Sequence, residues 1–331
     1  MIGQKESMVT GIIYDDKYKL HLTGFHNESP ERLEAIMDLV NKKEMLETDD
    51  FILLSPRIGT VDDVKLVHEK RMIERAKIES GLARNGNLRY LDLGDTVVCE
   101  DSFEVALLAV GGVLTAADAV IEGKIHNAFA IVRPPGHHAK THSSSGFCIF
   151  NNMAILAEYL VKKGFKKVAI FDIDLHHGNG TSQIFYDRKD ILFFSSHQDG
   201  RTKYPGSGFI NEIGSGDGKG YNINVPFVPE SGDDAAQKMF ENIVKPIFEQ
   251  FEPDFILGSI GCDAHYSDPL GELNFTTHGY GNYVKGFKDL AEKLCDGKLI
   301  LTLEGGYSVR YLAQSIVNIL YVLADKEMPF K

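Results

Sequence analysis

Eight short apolar runs, each rich in β-branched or aromatic residues, limit the folds open to this chain. They lie at residues 11–14, 51–54, 128–132, 168–171, 191–196, 221–225, 255–260 and 299–303. Short runs of unbroken hydrophobicity are the mark of strands buried on both faces, and hence of a parallel sheet. Helical windows separate several of them, at 60–83, 103–121, 151–163, 233–250, 280–294 and 309–323. Another helix is expected to start at Ser29-Pro30, with Ser29 as its cap and Pro30 at its first helical position. Strands alternating with helices imply an α/β architecture, a largely parallel eight-stranded sheet with helices on both faces. No repeat, linker or charge block divides the 331 residues, so one domain, 1–331, is expected.

In such a sheet, ligands bind beyond the carboxyl ends of the strands. The unusual residues of this sequence cluster at those ends, in segments 134–147, 172–176, 197–208, 261–263 and 304–307. The most telling stretch is V-A-I-F-D-I-D-L-H-H-G-N-G at 168–180. Its apolar strand ends in Asp172, Asp174 and His176, spaced by two. Alternate side chains of a strand share a face, so such a set can converge on one point. Burying two carboxylates and an imidazole without partners is costly, whereas around a cation they make sense. A strand ending in an ordinary polar loop offers similar residues without a ligand. A phosphate cradle at Gly178-Asn179-Gly180-Thr181 is a third reading, but no Walker lysine follows and no G-x-G-x-x-G frame fits.

A formal charge of −12 argues against nonspecific binding to nucleic acid or acidic membranes and is compatible with a cationic substrate. No apolar run is expected to reach transmembrane length, since the most apolar helix, around 105–121, contains Asp118 and two glycines. The N-terminal M-I-G-Q-K-E-S lacks the apolar core of a signal peptide. Cys99, Cys148, Cys262 and Cys295 form no C-x-x-C pair, which suits a reducing cytoplasm and makes zinc-finger chemistry a poor reading. Cys148 and Cys262 read as small buried neighbours of the motifs rather than nucleophiles.

Six motifs in order carry a family resemblance. They are R-P-P-G-H-H-A at 133–139, G-F-C-I-F-N-N at 146–152, D-I-D-L-H-H-G-N-G at 172–180, Y-P-G-S-G at 204–208, C-D-A-H at 262–265 and L-E-G-G-Y at 303–307. S-P-E-R-L at 29–33 joins them. Together they resemble the zinc-dependent histone deacetylase and acetylpolyamine amidohydrolase superfamily. The resemblance implies the arginase/deacetylase fold, with one catalytic zinc held by Asp174, His176 and Asp263. The residue types agree independently: a catalytic zinc commonly takes three protein ligands and keeps an open position. Two carboxylates and one imidazole leave the occupied site nearly neutral, a Lewis acid able to bind a carbonyl oxygen.

By the same resemblance His137 and His138 flank the attacking water, with Asp172 orienting His137 and Asn179 orienting His138. His138 is usually assigned the general base, though sequence alone leaves the division of roles open. An amide at Asn179 withholds the charge that an aspartate would supply, which keeps His138 less basic and neutral, as a base must be. Tyr307 would donate to the oxyanion. Gly146, Phe147 and Tyr204 would bind substrate, the two aromatics as walls of a narrow acyl-lysine tunnel, with Asp95 as a rim aspartate for the substrate backbone. Backbone oxygens near Asp172, Asp174 and His176, with Ser195, resemble a potassium site.

The expected activity is removal of acetyl or other acyl groups from acyl-lysine side chains. Acetylpolyamines or other small N-acyl amines fit the same tunnel residues, but segment 14–30 is too short for the insertion that often narrows the polyamine enzymes' entrance. A binuclear manganese hydrolase of the arginase type would need further metal-facing aspartates, which are not spaced correctly here. A non-catalytic acyl-lysine binder would be expected to lose a metal ligand or Tyr307, and all are present.

Overall fold

The eight apolar runs all become strands, and among the described residues they join in one sheet. The computed structural model describes residues 9–331 except residue 93. The N-terminal segment in which a signal peptide was sought lies outside the described residues. In chain order the strands are β1 (Thr10–Ile13), β2 (Phe51–Leu54), β3 (Arg89–Leu91), β4 (Thr96–Val98), β5 (Asn127–Ala130), β6 (Val168–Asp172), β7 (Ile191–Gln198), β8 (Asn222–Phe227), β9 (Phe255–Ile260) and β10 (Leu299–Leu303). The large sheet has the order β2-β1-β5-β10-β9-β6-β7-β8. Every pairing in it is parallel, so the expected "largely parallel" sheet is wholly so.

The inner strands are buried along their whole length and mostly apolar, because both their faces are covered, and several of their polar residues (Asp172, Ser195, Ser259, Thr302) fall toward their carboxyl ends. Phe171 of β6 stacks on Phe287 of the helix Thr277–Cys295, with ring centroids 3.6 Å apart and planes 2° from parallel. The next strand makes room by carrying Gly258, where a Cβ would run into the Phe171 ring. Removing the Phe287 ring would cost about 3–5 kcal/mol, the usual range for emptying a buried aromatic site.

The helix Ser102–Ile121 corrects one expectation. It is 20 residues long with mean hydropathy 1.8, long and apolar enough to cross a membrane by length and composition. Within the fold 78 % of that window is buried. Its glycines and alanines let it pack against β1, β5 and the helix Asn152–Lys162.

Other helical windows divide or shift. Window 60–83 becomes Val61–Val64, opened by a capping box of Thr60 and Asp63, and Lys70–Leu82. Between them His68 is drawn inward, its Nδ1 2.9 Å from the Lys140 carbonyl and its Nε2 accepting the Asn151 N–H at 2.8 Å. Window 233–250 contains a π-helical turn, Phe240–Val244, between Asp233–Met239 and Lys245–Phe251. The helix Glu31–Lys42 starts one residue later than expected: Pro30 is its N-cap, and no side chain caps it.

β3 and β4 form a separate antiparallel hairpin that the sequence did not reveal. At three residues each they carry too few positions for a period-two pattern to register.

Candidate active site

Five of the sheet's strands, β5-β10-β9-β6-β7, are consecutive neighbours, and these are the ones followed by the motif-bearing segments. Topology therefore gathers residues scattered from 133 to 307 along one stretch of the sheet's carboxyl edge. β6 ends at Asp172, and the chain beyond it turns so that Asp174 and His176 meet Asp263, three residues past β9. Ligand atoms of these three side chains lie within 4.8 Å of one another. His176 Nδ1 is 3.1 Å from both Asp174 Oδ1 and Asp263 Oδ2. Backbone groups fix the carboxylates: Gly305 N–H donates to Asp174 Oδ2 at 2.9 Å, and Leu175 N–H to Asp263 Oδ1 at 2.8 Å. A side chain at Gly305 would collide with both carboxylates, so the glycine is required by close approach.

These residues suit a divalent cation. Asp174 and Asp263 are both buried, and burial together with the Asp174 carboxylate pushes Asp263 above the usual carboxylate range. Two such acids ionise together only when a cation offsets them. Two carboxylate oxygens and an imidazole nitrogen, with a cavity on the open side, are a donor set that fits zinc. Asp172 stands apart from this trio. The two-residue spacing on its own grouped it with the cation, but its Oδ2 faces His137 Nδ1 at 3.0 Å.

The two histidines have different partners. His137 meets the Asp172 carboxylate, whereas His138 Nδ1 is 2.7 Å from the amide oxygen of Asn179. Their rings lie 4.0 Å apart, centroid to centroid. Burial disfavours charge on both. For His137 the carboxylates of Asp174, Asp172 and Glu304 outweigh burial and hold the imidazole's pKa well above its ordinary value. For His138, burial and the neighbouring His137 and His176 push it well below. The two imidazoles are thus pushed in opposite directions, His137 toward its charged form and His138 toward its neutral one.

A cavity of about 200 Å³ opens onto these groups. Its lining brings together Asp95, His137, His138, Gly146, Phe147, His176, Tyr204 and Tyr307, with Pro135, Leu270 and Gly305 completing the wall. Asn179, Asp172, Asp174 and Asp263 lie behind that surface. Larger depressions of about 630 and 650 Å³ occur elsewhere, but both are lined by charged side chains and lack the motif histidines. The smaller cavity is the one with chemistry around it.

Phe147 sits at φ 70°, a left-handed conformation an L-residue adopts at a cost of roughly 1–2 kcal/mol. Gly146 before it is also left-handed, at φ 55°, and any side chain there would strike the His138 ring. The turn is held by the β3–β4 loop: Asp95 Oδ2 accepts the Gly146 N–H at 2.9 Å, and Asp92 Oδ2 accepts the Ser144 N–H at 2.6 Å. Tyr204 stands opposite, 41 % exposed, its hydroxyl 3.5 Å from the same Asp95 oxygen. Burial raises the Tyr307 phenol well above its ordinary pKa, so it remains a proton donor.

Several supporting residues escaped the sequence reading. Arg32 spans the site from behind, donating to the carbonyls of Gly306 (2.7 Å) and Glu304 (2.5 Å), with its guanidinium 5.3 Å from the Tyr307 ring centre. Buried Glu28 holds Arg133 through two oxygens and touches Arg32 as well. Asp268 Oδ2 accepts the backbone N–H groups of Tyr307 (2.6 Å) and Ser308 (3.0 Å). Arg32, Arg133 and Glu304 lie inside quoted motifs, which was their only signal.

Ser195 faces Asp172 across the β6–β7 register, and its hydroxyl is 2.8 Å from His197 Nδ1. All four cysteines are buried and unpaired.

Comparison with known proteins places these features in context. The family model described as the histone deacetylase domain matches residues 26–323. A probable deacetylase of Archaeoglobus fulgidus is 41% identical over 303 residues, covering 91% of this chain and 82% of that protein. Histone deacetylase 14, chloroplastic, of Arabidopsis thaliana is 36% identical over 313 residues, 91% of this chain and 74% of the relative. The crystal structure of the HDA15 HD domain is similar with a TM-score of 0.90 and 34% identity, covering 98% of this chain and 90% of that one.

Proposed function

The chain belongs to the histone deacetylase family and has that family's α/β fold, and from this premise we propose that it is a zinc-dependent amidohydrolase removing acetyl groups from acyl-lysine side chains. The observation that carries this reading is the convergence of Asp174, His176 and Asp263 with His137, His138 and Tyr307 around one narrow cavity.

Asp174, His176 and Asp263 would hold the zinc, which when bound supplies Lewis acidity toward the amide carbonyl and makes water more acidic. The remaining work falls to the protein. Phe147 and Tyr204 line the path of the lysine stem, and Gly146 and Asp95 lie at the entrance where the backbone of the substrate would pass. His138, paired with an uncharged amide, is the base that takes the proton of the attacking water. His137, paired with the Asp172 carboxylate, carries the positive charge and returns a proton to the leaving amine. Tyr307 donates its phenolic proton in a hydrogen bond to the oxygen on which negative charge develops. As part of the same proposal, backbone oxygens near Asp172, Asp174 and His176, with Ser195, would hold a potassium ion, and the protein would work in the cytoplasm.

The test is a panel of acetyl-lysine peptides, longer acyl-lysine peptides and acetylpolyamines, assayed with zinc quantified per chain. The expected result is chelator-sensitive turnover, fastest on acetyl-lysine peptides. Preferential turnover of acetylpolyamines would replace lysine by a small amine as substrate, and no turnover by zinc-loaded protein would overturn the reading.

A further inference from the structure

The segment from Leu20 to Glu28 has its polarity inverted. His21, Thr23 and Glu28 are buried, whereas Leu20, Leu22 and Phe25 point outward at 48%, 55% and 111% exposure. It is also firmly held. His21 Nδ1 is 2.7 Å from the Ser102 hydroxyl, and its carbonyl accepts from Arg133 at 2.5 Å. Leu22 N–H donates to Cys99 Sγ, and the Cys99 thiol donates back to the Leu20 carbonyl, both at 3.2 Å. The Thr23 hydroxyl donates to the Glu28 carbonyl at 2.6 Å. A segment so anchored does not expose its leucines and phenylalanine through looseness. Apolar side chains held out in water by buried polar anchors mark a surface made to be covered.

What covers it follows from its position. His26, next to Phe25, packs edge-on against Phe147 with ring centroids 4.5 Å apart, and Phe147 is a wall of the candidate tunnel. Through His26 the segment adjoins that wall, with Phe25 the next residue along. A small acylated amine fills the tunnel and ends there. A polypeptide carrying an acyl-lysine has neighbouring residues that must lie across the rim. We propose that Leu20, Leu22 and Phe25 bind apolar residues flanking the acyl-lysine of a polypeptide substrate, an inference that rests on the acyl-lysine reading above.

The test compares two fluorescent peptides, with leucine and phenylalanine or with two serines around acetyl-lysine, each also made without the acetyl group. Stopped-flow anisotropy, read before the full-length wild type deacetylates the probe, should give the apolar-flanked acetyl peptide an affinity about tenfold higher than its serine counterpart, the scale of return for covering one or two apolar side chains. The double variant Leu22→Ser/Phe25→Ser should lose that difference; both positions are exposed, so folding is spared. Equal affinities in the wild type, or a difference that survives in the variant, overturn the proposal. So does light scattering that finds a wild-type dimer which the variant splits, because the occupant is then a second copy. If the acyl-lysine reading itself fails, acetylation will not alter binding of either peptide. If only the platform fails, acetylation matters and the flanks do not.

Discussion

The Glu304 carboxylate accepts the backbone N–H of His137 at 3.1 Å, and the same oxygen takes the Gly136 N–H at 2.7 Å. Glu304 lies three residues before Tyr307, so one side chain ties the loop carrying the phenol to the loop carrying both histidines. Its other oxygen, Oε1, is buried without a hydrogen-bond partner among the described residues.

That arrangement separates two substitutions. Glu304→Ala leaves two buried N–H groups without an acceptor, at about 1–3 kcal/mol each. It should lower stability by roughly 2–6 kcal/mol and depress kcat by letting the loops drift. Glu304→Gln can keep its amide oxygen on both N–H groups and should retain most of the stability. Denaturant titration of both variants checks the ordering, and a glutamine variant as unstable as the alanine one contradicts it.

Tyr307→Phe removes the hydroxyl and keeps the ring that packs near Phe147 and Arg32. By the usual cost of one oxyanion donor, kcat should fall about 10²–10³-fold while zinc content and KM change little. Steady-state kinetics alongside metal analysis provide the check; undiminished kcat removes the phenol from the mechanism.

Chelation should act on stability as well as turnover. Without a cation the buried Asp174 and Asp263 carboxylates have only the His176 and His137 imidazoles to offset them, so stripped protein should melt several degrees lower and recover on zinc addition. Asp263→Asn should lower zinc stoichiometry from about one per chain to a small fraction of that. A melting temperature indifferent to chelator would contradict the assigned ligand set.

Acid should destabilise the metal-stripped protein through the histidines that folding keeps neutral, opposed by Asp268 and Glu304, whose carboxyls burial holds up at about 7. Burial, aided by Arg133, lowers the His21 pKa from 6.5 to about 3, and burial lowers that of His68 to about 4. An imidazole whose pKa is depressed by folding binds its proton more readily in the unfolded chain. Its contribution is therefore intact above pH 6.5 and is lost as pH falls through the folded value. Each should cost about 1.4 kcal/mol per pH unit, His68 down to pH 4 and His21 down to pH 3. Glu28 adds a later phase. Burial raises its pKa, but the Arg133 guanidinium outweighs that and holds it at about 2, so its loss runs from pH 4.5 down to 2. Denaturation midpoints that do not move between pH 7 and pH 4.5 would contradict the histidine part.

The sheet was legible because strands covered on both faces are mostly apolar, and short runs of that kind separated by helical windows are uncommon elsewhere in a chain. Asp174, His176 and Asp263 were legible because buried acids beside an imidazole make poor core. Asp172 was misgrouped in the spacing argument because strand periodicity ends where the strand does; past that point the turn decides which side chains converge. The matching motifs assigned it correctly to His137. Glu304, Asp268 and Glu28 act through backbone N–H groups or through another side chain, contacts that leave no periodic trace. The short β3–β4 hairpin, which bears Asp92 and Asp95, offers three positions per strand, too few for alternation to emerge.

The place of β10 has a consequence for how the protein is made. It follows every other strand in the chain, yet it inserts between β5 and β9, and its carboxyl end leads to Glu304 and Tyr307. A nascent chain on the ribosome must hold its sheet in two halves, with β5 and β9 awaiting a common neighbour. On the mechanism proposed here full turnover waits for the last strand, because the segment that joins the halves is also the one that carries Tyr307.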